Sequence, residues 1–180
     1  MTDIDAFFAR YEQGANSFDP DLVAAQFTDP FMGGDPNGVM SARNDEAFRQ
    51  SIPQRQAFMQ GIGFRFARVL AVAATPLDAH YTMARVHWHL RFEKTPGAPQ
   101  DFRFHITYFL FDPGSGTGPK VAFYISHEDE QQVMREAGLL PDAPPGGATR
   151  SPPPECAHTP STSIRHSTFS GRKTNILPIK

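Results

Sequence analysis

Residues 80–93 read HYTMARVHWHLRFE, and two sets of side chains alternate through them without a break. Thr82, Ala84, Val86, Trp88, Leu90 and Phe92 fall on one side of a period of two. Tyr81, Met83, Arg85, His87, His89, Arg91 and Glu93 fall on the other. Neighbouring side chains of an extended chain point to opposite faces, so the stretch predicts a half-buried strand with an apolar inner face and a charged outer one. Trp88 then points toward whatever covers the sheet. The same period marks strands at 64–74, 102–111 and 120–127, and the turn signals between them (Pro76 with Asp78, Pro96-Gly97, the glycine-rich 112–119) suit short antiparallel connections. On the strand at 102–111 the more apolar set is Phe102, Phe104, Ile106, Tyr108 and Leu110, with Tyr108 its one polar member.

Ahead of this meander the period changes to that of a helix. Ile4, Phe7, Phe8 and Tyr11 fall at i, i+3, i+4 and i+7, behind Thr2 as a candidate N-cap. Asp19-Pro20 is a cap followed by proline at the first helical position, and it opens a short second helix. Phe31-Met32, the turn Asp35-Pro36-Asn37-Gly38 and Val39-Met40 predict a small hairpin. A third helix opens at Asn44-Asp45-Glu46 and keeps Phe48, Ile52, Arg55, Met59 and Ile62 on one face, with a kink expected at Pro53. A brief helix over 129–137, closed by Gly138, ends the periodic region. The expected fold class is α+β: three N-terminal helices packed on a curved antiparallel sheet, in one domain over residues 1–140.

Pro141, Pro144, Pro145, Gly146 and Gly147 end all periodicity, and 141–180 is expected to be a disordered Pro/Ser/Thr-rich tail. Most of the basic charge imbalance sits there. Five basic residues stand against Glu155 from Arg150 onward, which leaves 12 basic and 18 acidic residues in the body. An acidic body argues against nucleic acid as a partner, and no apolar run is long enough for a membrane helix. The expected setting is cytoplasmic. The single cysteine, Cys156, can form neither an internal disulfide nor a cysteine metal cage.

The order of helices, hairpin and meander, the Phe27-Thr28-Asp29-Pro30 entry to the hairpin, and the closing Tyr124-Ile125-Ser126-His127-Glu128-Asp129 together resemble the nuclear transport factor 2-like superfamily, over about residues 3–139. Ketosteroid isomerases, SnoaL-like polyketide cyclases, scytalone dehydratase and many non-catalytic modules share that fold. The resemblance implies a cone with a pocket between helices and sheet, and a homodimer through the outer sheet face. It does not fix the chemistry.

The chemistry must therefore be sought in the residues expected to face that pocket. Tyr108 could polarise a carbonyl or hold an enolate oxygen, or could be a structural tyrosine bonded within the core. Base candidates are Asp29 and Asp35 beside the hairpin and His127 after the last strand, with a turn role as the plainer reading of Asp29. The strands offer no obvious inward carboxylate, a departure from the ketosteroid isomerase pattern. Trp88, Phe104, Phe31 and Met40 are the binding candidates. His87, His89 and His105 could converge on zinc if they shared a face, and a turn centred near Gly97 would set His105 opposite His89. The alternation puts them outside among Arg85, Arg91 and Arg103, so no metal and no cofactor is assigned. Two function classes stay open: a SnoaL-like pocket protein for a small apolar or aromatic molecule, with cofactor-free lyase, isomerase or hydrolase chemistry, or a non-catalytic homodimeric binding module.

Overall fold

A computed structural model of the chain describes residues 3–141. The N-cap expected at Thr2 and, apart from Pro141, the tail expected over 141–180 lie outside the described residues. Three helices come first: α1 (Asp3–Ser17), α2 (Pro20–Ala24) and, after the hairpin strands β1 (Phe27–Asp35) and β2 (Gly38–Ala42), α3 (Glu46–Gly61). Strands β3 (Phe64–Pro76), β4 (Tyr81–Phe92), β5 (Gln100–Phe111) and β6 (Lys120–Ser126) follow, and α4 (Glu130–Glu136) closes the domain. Among the described residues no helix is long and apolar enough to cross a membrane.

Local chemistry accounts for the helix starts. Asp19 Oδ1 accepts from the backbone N–H groups of Asp21 and Leu22 at 2.9 and 3.0 Å, with Pro20 behind it at a position that needs no N–H. Asp45 Oδ1 accepts from Phe48 N at 3.1 Å and starts α3. That helix continues as one element past Pro53, whose side chain faces solvent. Gly63 ends it with φ of +84°, and a Cβ there would strike the backbone of Glu93 and Lys94. Only glycine satisfies both demands.

The six strands form one sheet in the order β2-β1-β6-β5-β4-β3. The expected meander is present from β3 to β6, but β1 runs parallel to β6, so the sheet is mixed rather than wholly antiparallel. The reason is topological. The helices α1 and α2 deliver the chain to the open edge of β6 running the same way, and the β1–β2 hairpin then extends the sheet outward. The β1–β6 register shifts between Phe27 and Met32, across Pro30, where the peptide bond after Asp29 is cis. At the opposite edge, α1 covers β3: Asn16 exchanges hydrogen bonds with the Ala67 backbone at 2.8 and 2.9 Å, and Glu12 Oε2 accepts from Val69 N at 2.7 Å. Side chains thus occupy backbone groups that an edge strand would otherwise expose.

The β4–β5 register settles the faces. Trp88 opposes Phe104, and these residues are buried with Val86, Leu90, Ile106 and Tyr108 under the helices. His87 opposes His105 and His89 opposes Arg103. The expected His89–His105 pairing is therefore corrected by two residues, because Phe92 pairs with Gln100 and the turn is centred one residue earlier than Gly97. A one-residue shift of the turn centre moves each partner by two and leaves the face unchanged. Phe8 and Tyr11 of α1 pack edge-on against Tyr108 at 5.3 and 5.4 Å, and Phe27, Phe31 and Phe48 form a second aromatic group where β1 meets α3.

Candidate functional site

The two aromatic groups meet through Tyr11 and Phe27, whose ring centres are 6.0 Å apart. Between α1, α2, α3 and the strands β1 and β6 lies a small cleft with a cavity volume of about 30 Å³; the space out past its open mouth, solvent included, is about 450 Å³. Phe18, Val23, Phe27, Phe31, Phe48 and Ile52 make its apolar wall, and Ser51, Arg55 and Tyr124 are its polar members. Each wall residue has a local cause. The repeat on α3 puts Phe48, Ile52 and Arg55 on the face that meets the sheet. Phe18 follows α1 with φ of +54°, an unusual conformation for a bulky residue, held by Phe18 N donating to Gly14 O at 3.0 Å and by its ring packing on Phe64. Tyr124 opposes Gly33 across the parallel pair, and a Cβ on Gly33 would overlap the tyrosine ring. The glycine is what lets the ring lie across β1.

Arg55 dominates the electrostatics. Its side chain lines this cleft and also a smaller void bounded by Met59, Phe64, Ala67, Trp88 and Leu90. Among the described residues it makes no hydrogen bond and no ion pair. Loss of water lowers its pKa, while the more distant Glu130 carboxylate is the leading influence in the other direction. Arginine stays protonated under such shifts, so the cleft contains a fixed cation. Burial raises the Tyr124 hydroxyl above its ordinary range, with Arg55 pulling the other way, so Tyr124 is a neutral phenol near neutral pH. Glu130 is buried and accepts from Ser126 Oγ at 2.8 Å.

The residues expected to do chemistry are dispersed. Tyr108 is fully buried and its Oη accepts from Trp88 Nε1 at 3.1 Å. The Tyr11 hydroxyl lies close enough to influence it but reaches no full hydrogen-bond geometry of its own. Burial raises both phenols. Trp88 and Tyr108 are thus brought together, with Phe104 beside them, in the core rather than on the cleft wall. Phe31 does line the cleft, whereas Met40 sits half-buried on β2 opposite Gly33.

Asp29 is held by Arg43 through two bonds of 2.6 and 2.9 Å and accepts from Asn44 N, which keeps its carboxyl below the usual range. It ties β1 to the segment before α3. Asp35 Oδ1 accepts from Asn37 N and Gly38 N at 2.7 and 3.1 Å and shapes the hairpin turn. His127 Nε2 lies 2.8 Å from Thr107 Oγ1 on the outer side. The structure brings none of the three together with Tyr108.

On the outer face, His87 stacks on His105 with ring centres 4.4 Å apart, and His105 Nδ1 is 3.3 Å from Glu128 Oε1. Arg91 and His89 both hold Asp101, at 2.8 and 2.6 Å, and push its carboxyl far below the usual range. Among the described residues no three His, Cys, Asp or Glu side chains converge in a way that could hold a metal. The residues missed from sequence are Arg55 and Tyr124. Arg55 had a visible signal, a cation in the apolar register of α3; Tyr124 lay in a strand whose wall role depends on the parallel partner.

Known proteins place this architecture. Solved structures with the same fold include Aln2 from a Streptomyces species, with 15% identity over 74% of this chain and 93% of that one, at a TM-score of 0.57. An NTF2-like protein with a cystatin-like fold from Novosphingobium aromaticivorans is 16% identical over 77% and 86%, at 0.56. A protein of unknown function from Mycobacterium tuberculosis, solved as a single-residue variant, is 16% identical over 71% and 70%, at 0.55. At such identities the likeness is one of fold. No curated protein matches the sequence. The family described as "NTF2-like protein (DUF6841)" matches residues 2–129, and the chain belongs to that NTF2-like family.

Proposed function

We propose that this domain binds a small apolar or aromatic molecule in the cleft between α1–α3 and the β1–β6 pair. One observation carries the reading: a phenylalanine-rich wall with a few polar groups, Ser51, Arg55 and Tyr124, at defined points. Such composition is what small-molecule sites require, with apolar area for affinity and sparse polar groups for orientation. Binding without acid–base chemistry fits best. Among the described residues no carboxylate or histidine is on the wall, and neither Arg55 nor Tyr124 exchanges a proton readily near neutral pH. Lyase, isomerase or hydrolase activity built on Tyr108 would need a base that reaches a core position occupied by the Trp88 hydrogen bond.

The test is binding of 2-naphthylmethanol, followed by saturation-transfer NMR and calorimetry, in the wild type and in Ser51→Phe, which puts a ring into the cleft. Binding lost in the variant, with thermal stability kept, is the expected result; binding indifferent to Ser51→Phe would contradict the location.

The outer face supports a homodimer as a companion proposal. Phe109 stacks on Phe123 at 5.6 Å and Tyr81 packs at a tilt on Phe111 at 5.1 Å, so large aromatic surface accompanies the histidines and arginines there. Native mass spectrometry of the wild type and Phe109→Glu decides. A monomer in both ends the proposal.

A further inference from the structure

We infer that the ligand of this cleft is a monocarboxylate with an apolar or aromatic body, held by the Arg55 guanidinium with the body against Phe27, Phe31 and Phe48. The inference deepens the small-molecule reading above and rests on it. Its ground is a mismatch within the site. A cation placed in apolar surroundings is costly unless an anion accompanies it, and buried arginines are ordinarily paired with one. Arg55 lies where α3 meets the sheet, lines both the cleft and the smaller void, and makes no hydrogen bond or ion pair among the described residues. Glu130 acts on it only from beyond ion-pair distance, and its Oε1 accepts from Ser126 Oγ. Its donors are therefore without a partner among the described residues, on a side chain that borders both spaces.

The class of anion follows from the donors. Arg55 is the one cation on the cleft wall among the described residues. A dianionic phosphate would leave one charge uncompensated in an apolar site, whereas a carboxylate carries one charge and matches the planar fork of guanidinium N–H groups with two oxygens. The neutral Tyr124 phenol stands on the same wall and can take part in orienting the oxygens.

The experiment compares 2-naphthoate with 2-naphthylmethanol by calorimetry at pH 7.5, in wild type, Arg55→Met and Arg55→Lys. The expected result is that wild type prefers the acid by about ten- to a hundredfold, the range for a charge-assisted hydrogen-bonded pair. Arg55→Met should abolish that preference while still binding the alcohol, and Arg55→Lys should keep only part of it, since lysine keeps the charge and loses the fork. Equal affinity for acid and alcohol in wild type overturns the carboxylate inference and leaves the cleft reading intact. Acid preference that persists in Arg55→Met also overturns it. If neither compound binds the wild type, the cleft reading fails and takes this inference with it.

Discussion

Replacing Arg55 by Met should make the ligand-free domain more stable, the opposite of what most substitutions at an inward helix position do. Met replaces the Arg stem up to about the Nε position and fits the apolar surroundings of Ile52, Met59 and Trp88, so the packing of the stem is kept. No hydrogen bond or ion pair to a described residue is lost either. What disappears is the cost of holding a half-buried cation partly away from water, offset in part by its attraction to Glu130. Exchanging a buried charge for a well-packed apolar side chain is often neutral or stabilising by roughly 1–4 kcal/mol, and the partial exposure of Arg55 together with the Glu130 offset places the expected gain at the low end, about 1 kcal/mol. For a domain of this size that raises Tm by roughly 3–5 °C. Urea unfolding at pH 7.5, followed by tryptophan fluorescence from Trp88, measures it. A loss of about 2 kcal/mol or more would refute the reasoning, because it would mean Arg55 is satisfied within the fold and is not held ready for an anion.

Tyr108→Phe should cost about 1–3 kcal/mol, because it leaves the buried Trp88 N–H without the acceptor that now sits 3.1 Å away; an unchanged urea midpoint would show that bond to be immaterial. Gly33→Ala should destabilise by roughly 1–3 kcal/mol and alter the Tyr124 ring environment in NMR, since the new Cβ overlaps that ring. His87 has a pKa held below its ordinary 6.5, first by loss of water and then by His105 and Arg103. A lowered folded-state pKa means the unfolded chain takes up the proton more readily, so the His87 contribution is present above pH 6.5 and is lost as pH falls through that value. His87→Gln should shrink the fall in urea midpoint between pH 7.5 and 5.5, and an undiminished fall would assign the pH dependence to other groups.

Strand alternation makes the sheet faces legible in the sequence itself. Trp88 and His87 are neighbours in the chain with opposite surroundings, one under the helices and one on the outer surface, because a period of two permits nothing else once one face is buried. The parallel β1–β6 pair was not legible. Pro30, Gly33 and Gly34 interrupt the alternation in β1, and parallel pairing leaves no turn signal, since the partner of Gly33 lies far along the chain at Tyr124. The cleft depends on that pair and was hidden with it. Asp29, Asp35 and His127 are chemically able residues in positions where backbone N–H groups, Arg43 and Thr107 use their bonding capacity, which spacing alone does not reveal. Arg55 stood in plain view on the apolar face of α3, but a charge at such a position has meaning only once its missing partner is known.

Where a ligand sits on this domain decides between the cleft and the outer face. Amide-resolved NMR of the wild-type domain titrated with 2-naphthoate reads that position most directly. Shifts concentrated at Gly14, Phe48, Ser51, Ile52 and Tyr124, together with the Arg55 Nε–H resonance moving downfield, are the predicted result. Shifts confined to the outer-face residues around His87, His105 and Phe109, with Arg55 unmoved, would contradict it.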